Sequence, residues 1–166
     1  MRRFVMKQLL LIIGFVMFGS LVHANEMEEI DCLAKNIYFE ARSDSLAGQA
    51  AVADVTLNRV YSADYPNTIC DVVKQGRQDS NGNMIRHQCQ FSWYCDGKSD
   101  RIPNIATNDA WWHAIDVASN MYFNSTYRGI TEGCTHYHAT YVSPAWAQRL
   151  QLVGRIGSHV FYRQNQ

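Results

Sequence analysis

Hydrophobic positions recur with helical spacing in two stretches near the start of the chain. Across residues 28–41, apolar side chains return every three or four positions, and acidic residues fill the first turn, where they suit the helix dipole. A second apolar stripe runs through "LAGQAAVADVTLNRVY", and Ser45 stands before it as a candidate N-cap. The polar segment "ARSDS" separates the two patterns. They predict a hairpin of two helices with Glu40 at its elbow.

Two further segments carry helix signals. Pro66 forces a turn, after which Asn67 or Thr68 can start a short third helix. Farther along, Thr107 or Asn108 can cap a long helix, "DAWWHAIDVASNMYF", which has one apolar side. The first half of the chain is therefore predicted to be mostly helical.

The remaining segments indicate strands. "GRQDSNGNMIRHQCQFSW" has no helical period, and its Asn81-Gly82 pair is typical of a hairpin turn. "GCTHYHATYV" alternates as a strand does, "SPAWAQRL" looks like a helical turn started by proline, and "VGRIGSHVFYR" predicts strands around Gly157. No repeat or low-complexity linker interrupts the chain. We expect one α+β domain with a mainly helical lobe and a small β-sheet and hairpin region.

The first 24 residues have the layout of a secretory signal peptide. A cationic start, an apolar run from Leu9 to Phe18 and the small-residue site "VHA" predict cleavage after Ala24. An uncleaved membrane anchor is the less favoured alternative, since this apolar run falls short of the ~20 residues that span a bilayer. We expect an exported protein, periplasmic or secreted, with no stable membrane anchor after cleavage.

Size and charge limit what the mature chain can do. Residues 25–166 have the size of one compact domain, which we expect to be a monomer without a cofactor. Without the signal peptide, the chain has 12 Lys and Arg residues and 15 Asp and Glu residues, and no basic run is present. Nucleic-acid binding, which needs a cationic surface, is therefore not expected.

All five cysteines lie in the mature part: Cys32, Cys70, Cys89, Cys95 and Cys134. An exported chain meets an oxidising compartment, so we expect two disulfides and one spare thiol. Their spacing does not resemble a zinc ribbon. The pairing cannot be read from the sequence, although Cys89 and Cys95 can close a small loop around "QFSWY".

Glu40 is the first candidate for chemistry. It follows Tyr38 and Phe39 at the predicted end of a helix, where the dipole and the aromatic neighbours would raise the pKa of a carboxyl group. A raised pKa suits a general acid at neutral pH. An ordinary solvated glutamate is the alternative, and position alone does not decide between them.

A second candidate is the pair His136 and His138, which a strand would place on one side with Tyr137 on the other. With His159 and a carboxylate such as Glu132, the pair could form the metal site of an amidase or peptidase. No HExxH pattern supports that reading, and structural histidines are the alternative.

The third candidate is the aromatic loop "CQFSWYCDG". Phe91 and Trp93 could stack on sugar rings or simply pack, whereas Trp111, Trp112 and Trp146 sit on helical patterns and are predicted to be core. A saccharide-binding module without catalysis would use the same loop. Neither a GxSxG elbow nor a setting for a reduced reactive cysteine indicates nucleophilic catalysis.

Six blocks taken together add a resemblance. "NIYFEAR", "GQAAVADVTLNRV", "YPNTICDVV", "CQFSWYCDG", "THYHATYVSPAWA" and "IGSHVFYR" occur in the order found in the SleB-like cell wall hydrolase family, which includes the spore-cortex-lytic enzymes of germination. The similarity runs from about Asp31 to Arg163, nearly the whole mature domain. An ordered set of six blocks is far more specific than any one of them.

The resemblance implies a lysozyme-like fold and an enzyme that cleaves peptidoglycan glycan strands as a lytic transglycosylase. The family's catalytic glutamate falls on Glu40, which would act as acid and then as base and leave a 1,6-anhydro-muramic acid end. Hydrolysis in the same cleft is the alternative. It normally needs a second carboxylate, and none stands in an equally marked setting, although Asp44 and Asp96 are open candidates.

The same resemblance, with geometry, suggests roles for seven other residues. The expected substrate-binding residues are Phe91, Ser92 and Trp93 as cleft wall, Tyr137 and His138 as polar groups near the bond that is cut, and Gln49 and Asn58 as orienting groups. Cys134 departs from the family pattern, in which a small residue is usual. We expect that it can add a bridge, with Cys32 as the suggested partner.

Overall fold

Local capping signals decide where the helices begin. The computed structural model of the chain describes residues 25–165, and the predicted signal peptide lies outside that range. Helix α1 covers residues 25–41, and the others are α2 (Leu46–Val60), α3 (Ile69–Val73) and α4 (Asp109–Asn124). Their predicted caps are confirmed: the side chains of Ser45, Thr68 and Asn108 each accept a bond from a backbone N–H of the first turn.

Within residues 25–165, five strands form two antiparallel sheets. The hairpin of β1 (Gly76–Gln78) and β2 (Met84–Cys89) turns at the predicted Asn81-Gly82 pair, where Gly82 has a φ of 81°. The second sheet has the order β3-β5-β4 and contains β3 (His136–Ala139), β4 (Gln151–Ile156) and β5 (His159–Arg163). A 3₁₀ turn, Ala145–Arg149, follows Pro144 as predicted.

Helix α2 lies between two apolar cores. On one side it packs against α1, α3 and α4 in the larger core, which includes Leu33, Ile37, Leu57, Trp111 and Met121. On its other side, Ala51 and Val55 meet Cys134 and Phe161 beneath the three-stranded sheet. Residues 48–57 are accordingly buried on all sides, including the polar Gln49, Asp54 and Thr56, whereas the sequence predicted one apolar stripe.

One cysteine expectation is wrong and one is confirmed. Cys32 pairs with Cys70 and so links α1 to α3, while Cys134 is a free thiol in the smaller core. A Cys134–Cys32 bridge does not form, because Cys134 lies on the far side of α2 from the larger core that contains Cys32. The predicted Cys89–Cys95 pair is present.

The tryptophan expectations are confirmed in part. Trp111 is 3% exposed and belongs to the larger core, but the neighbouring Trp112 is 52% exposed and faces away from it. Consecutive helix positions point about 100° apart, so one apolar stripe cannot bury both. Within residues 25–165, no helix combines the length and the apolar character needed to cross a bilayer.

Candidate active site

An open cleft of about 750 Å³ lies where the end of α1 meets β3 and the loop after the Cys89–Cys95 disulfide. Five of the residues predicted from the sequence line it: Glu40, Ser92, Trp93, Tyr137 and His138. Phe91 also borders the cleft but is only 2% exposed. The structure therefore brings together most of the predicted site, although its members come from distant parts of the chain.

Glu40 is half-buried in the last turn of α1. Its Oε2 accepts a hydrogen bond of 3.2 Å from the hydroxyl of Tyr137. Burial raises the pKa of Glu40 above its ordinary value, and the Tyr137 bond and the charge of Arg59 only partly oppose the rise. The predicted rise in pKa is confirmed, with burial as its main cause.

Tyr137 is held firmly as the donor to Glu40. Its ring meets His159 edge-on at 4.9 Å and also contacts Phe161 and Phe91. Burial and the nearby Glu40 charge raise the pKa of Tyr137 well above its ordinary value. The phenol therefore keeps its proton at neutral pH and can serve only as a hydrogen-bond donor to the carboxylate.

The register of β3 against β5 separates the three histidines of the suggested metal set. His136 and His138 share one face, as predicted, and both lie near the Trp146 ring, at 5.5 and 5.7 Å. His159 pairs with Ala139 and therefore faces the other side, with Tyr137. In the described part of the chain, no group of three or more metal-ligating side chains comes together.

His138 has a partner at each ring nitrogen. Nδ1 lies 2.9 Å from the carbonyl oxygen of Ala139, and Nε2 lies 3.0 Å from the hydroxyl of Tyr162. A carbonyl can only accept, so Nδ1 carries the proton in the neutral ring and Nε2 can accept from Tyr162. These bonds fix the ring at the edge of the cleft.

The Asp44 carboxylate accepts hydrogen bonds from the turn between β4 and β5. The donors are the backbone N–H and the hydroxyl of Ser158, and the carboxylate also lies 3.3 Å from Nδ1 of His159. Gly157, with a φ of 58°, permits this approach, since a Cβ there would come within 2.8 Å of the carboxylate. Asp44 is thus a structural contact and does not line the cleft.

Other carboxylates do line the cleft, on the loop after the second disulfide. Asp96 accepts a 2.7 Å bond from the backbone N–H of Lys98. The neighbouring Asp100 has a pKa raised by burial and by the charge of Asp96, with Lys35 opposing the rise. Asp96 was a candidate from the sequence, whereas nothing in the sequence pattern indicated Asp100.

The side chains of the aromatic loop differ in burial: some pack against the protein, and others are exposed. Trp93 stacks on Phe39 at 4.6 Å, and its Nε1 donates to Asn36. Phe91 lies against the Arg59 guanidinium, while Ser92 is exposed. Trp93 thus presents one partly open ring to the cleft, and Phe91 supports the floor.

The structure does not place Gln49 and Asn58 in the cleft lining. Gln49 donates to the backbone oxygen of Asp44, at the elbow between α1 and α2. Asn58 donates to Thr131 and to the backbone oxygen of Cys134, in the segment that leads into β3. Both residues hold the elements that carry Glu40 and Tyr137, and neither touches the open space between them.

Besides Asp100, sequence reasoning missed three residues that build the site. Asp54 is fully buried and accepts bonds from Arg128, Gly129 and Thr131, which anchor the same segment before β3. Arg59 borders the cleft although it is 4% exposed, and Tyr141 borders it at 87% exposure. A charge within the apolar pattern "AVADVTLNRV" was the available signal for Asp54 and Arg59.

A model of the cell wall hydrolase family matches residues 43–162. The chain belongs to that family. Membership confirms the predicted family, that of the cell wall hydrolases. The matched range begins after Glu40, so the role of that residue rests on the "IYFEAR" resemblance and on the geometry of the cleft.

Relatives and solved structures agree with this membership. The cell wall hydrolase domain is 28% identical over 136 residues to a spore cortex-lytic enzyme of Bacillus cereus, and 26% identical over 133 residues to one of Bacillus subtilis. These alignments cover 80% of the chain but only 43% and 37% of the relatives, so the chain spans less than half of their length.

Two solved catalytic domains share the fold. The SleB domain of Bacillus cereus superposes with a TM-score of 0.58 at 26% identity, over 82% of this chain and 91% of that domain. The germination-specific lytic transglycosylase SleB of Bacillus anthracis gives the same TM-score and identity, over 81% and 93%. The predicted lysozyme-like α+β fold is confirmed.

Proposed function

We propose that this domain cleaves peptidoglycan glycan strands as a lytic transglycosylase, with Glu40 as the single acid and base. The observation that carries the proposal is the position of Glu40: half-buried in an open cleft, with a pKa raised by burial and one oxygen held by Tyr137. A carboxyl group that holds its proton toward neutral pH suits the protonation of a glycosidic oxygen.

The reaction has two proton transfers. Glu40 gives its proton to the oxygen between N-acetylmuramic acid and N-acetylglucosamine, and the bond from that oxygen to C1 of the muramic acid breaks. The Glu40 carboxylate then removes the proton of the muramic acid 6-hydroxyl, whose oxygen bonds to C1. No water is consumed, the acid is regenerated and a 1,6-anhydro end remains.

Tyr137 would act through the carboxylate. Its hydroxyl fixes Oε2 of Glu40, which leaves Oε1 to exchange the proton with the substrate. The bond from Tyr137 also favours the charged form of Glu40, the form present between the two transfers. The carboxylate is thereby held in one orientation throughout the cycle.

Glycan binding would use the remaining cleft residues. The partly open ring of Trp93 and the exposed ring of Tyr141 offer faces on which sugar rings can stack, while Ser92 and His138 offer polar contacts. Phe91 would contribute from below as packing. This domain would act on its substrate outside the cytoplasm, in agreement with the predicted signal peptide.

A second candidate reaction is hydrolysis in the same cleft. Asp96 and Asp100 line it, and a second carboxylate could activate a water molecule. Both oxygens of Asp96 are already engaged by Lys98: one accepts from its backbone N–H, and the other lies 3.7 Å from its ammonium group. We favour transglycosylation because it needs only Glu40 and no second carboxylate.

One mass spectrum separates the candidate functions. Purified sacculi are digested with the domain and with its Glu40→Gln variant, and the soluble products are weighed. Transglycosylation predicts anhydro ends from the wild type and none from the variant, whereas reducing ends would indicate hydrolysis. Freed stem peptides would indicate an amidase, and binding without new ends would indicate a wall-binding module. Normal activity of a folded Glu40→Gln variant would refute the proposed role of Glu40.

A further inference from the structure

Arg59 is a buried cation in the floor of the cleft. It lies near the end of α2, borders the cleft and is 4% exposed. Its Nε donates to the backbone oxygen of Thr135 at 2.8 Å, just before β3. Its Nη1 is buried and has no hydrogen-bond partner among residues 25–165. A buried guanidinium with an unused donor is costly and needs an explanation.

Aromatic rings replace the carboxylate that usually accompanies a buried arginine. The Cζ of Arg59 lies 5.0 Å from the centre of the Phe91 ring and 5.3 Å from that of Tyr65. Within the described residues, no carboxylate comes close enough to form a salt bridge with it. Cation–π contacts recover only part of the cost of burying a cation. The charge of Arg59 is therefore only partly compensated on the cleft floor.

The field of Arg59 acts on both partners of the hydrogen bond between Tyr137 and Glu40. Its charge lowers the pKa of Glu40 and that of Tyr137, in each case against the larger effect of burial. Burial in turn lowers the pKa of Arg59 itself, and the charges of Tyr137, Tyr65 and Glu40, in that order, oppose that change. The two groups thus stabilise each other's charged forms.

We propose that Arg59 is a positioning residue that stabilises the carboxylate form of Glu40 between its two proton transfers. The inference rests on the proposed function of the cleft. Burial alone would make Glu40 a weak acid that holds its proton too tightly to give it up. The fixed cation lowers the energy of the anion that forms when the proton leaves. Arg59 keeps all its protons and forms no bond to the substrate.

Several charged or titratable groups share the cleft with Glu40. Those that act on Glu40 directly are Tyr137 from β3 and Arg59 from α2. The other titratable or charged groups of the lining are Tyr38, Arg42, Asp96, Lys98, Asp100, Arg101, His138, Tyr141 and His159. A test must therefore change one charge at a time and follow Glu40 itself.

The first test is the pH dependence of product formation. The rate of anhydro-end release from sacculi is measured against pH for the wild type, Arg59→Gln and Arg59→Lys. Gln removes the charge but retains a donor for Thr135, whereas Lys keeps the charge. The Gln variant should move the alkaline limb of kcat/KM up by about one pH unit and lower kcat about tenfold, because Glu40 then holds its proton more tightly. The Lys variant should keep the limb near its wild-type position.

Arg77→Met is the matched control. Arg77 is exposed on β1 and does not line the cleft, so loss of its charge should leave the limb and kcat unchanged. An unshifted limb in a folded Arg59→Gln variant would overturn the proposal. So would an Arg59→Lys variant that loses activity as fully as Arg59→Gln, because a purely structural role would then explain both.

A second measurement does not depend on catalysis. Carbon-13 NMR follows the titration of the Glu40 carboxyl in the wild type and in Arg59→Gln, with circular dichroism to show that both are folded. A higher titration midpoint in the variant supports the inference, and an equal midpoint refutes it. If the wild type releases no new glycan ends, the proposed function fails, but the midpoints still decide whether Arg59 controls Glu40.

Discussion

The hydroxyl of Tyr137 on β3 donates to Oε2 of Glu40 at the end of α1, across 97 positions of sequence. Tyr137 packs against both the helical core, to which α1 belongs, and the sheet core. The contact between Tyr137 and Glu40 is therefore a product of tertiary packing. It joins the candidate acid to a donor that cannot ionise at neutral pH.

Removal of that donor tests its role. Tyr137→Phe should lower the rate of anhydro-end release by about tenfold, since a hydrogen bond to a charged group contributes on the order of 1.5 kcal/mol. The bond lowers the pKa of Glu40, so its loss should also move the alkaline limb of the pH–rate profile to higher pH. Tyr122→Phe on α4, outside the cleft, is the control. An unchanged profile for Tyr137→Phe would show that the bond has no catalytic role.

Glu40 should lower the stability of the fold at neutral pH. Its pKa is raised in the folded state, so the folded chain binds the proton more tightly than the unfolded chain. Stability is then full below the unfolded pKa and declines as pH rises toward the folded pKa. Glu40→Gln should raise Tm at pH 7 on the order of 3 °C, and the gain should vanish at low pH. A gain that is independent of pH would contradict this explanation.

Tyr141 offers a test of glycan binding apart from chemistry. Its ring borders the cleft and is 87% exposed, so Tyr141→Ala should not disturb the fold. Loss of one stacking surface should raise KM for glycan on the order of fivefold with little change in kcat. Trp112→Ala, an exposed aromatic residue on α4 away from the cleft, should leave both constants unchanged. Equal effects of the two substitutions would argue against a specific subsite.

The two disulfides should differ in their contribution to stability. Cys32–Cys70 closes a separation of 38 residues and Cys89–Cys95 one of 6. Loop-closure entropy then predicts losses of about 4 and about 2 kcal/mol when each pair is replaced by serine. Denaturant unfolding of the two double variants measures the difference. The reverse order would show that strain or residual structure outweighs loop entropy.

The sequence predicts features that depend on neighbouring residues. The caps at Ser45, Thr68 and Asn108 and the turn at Asn81-Gly82 are local chemistry, and each is found where expected. The same-side placement of His136 and His138 is equally local, since it follows from the two-residue period of a strand. These features need no knowledge of the rest of the fold.

Features set by packing between distant elements could not be predicted. The register of β5 against β3 pairs His159 with Ala139 and so puts it on the other face of the sheet from His136, and no residue near either position signals this. The partner of Cys32 depends on how α3 docks on α1. The position of Asn58 on α2 suggested that it orients Glu40 or the sugar. Its amide instead donates hydrogen bonds to the segment before β3. The strand register, the disulfide partner and the contacts of this amide are visible only in the folded structure.

The free thiol of Cys134 has a consequence for how the native disulfides form. Burial raises the pKa of Cys134 to about 11, so at neutral pH only about one molecule in ten thousand carries the thiolate that attacks disulfides. In the unfolded chain that protection is absent, and any of the other four sulfurs can be attacked. The smaller core therefore has to close around Cys134 at least as fast as the disulfides form. A native disulfide that forms while Cys134 is still exposed can be attacked by its thiolate.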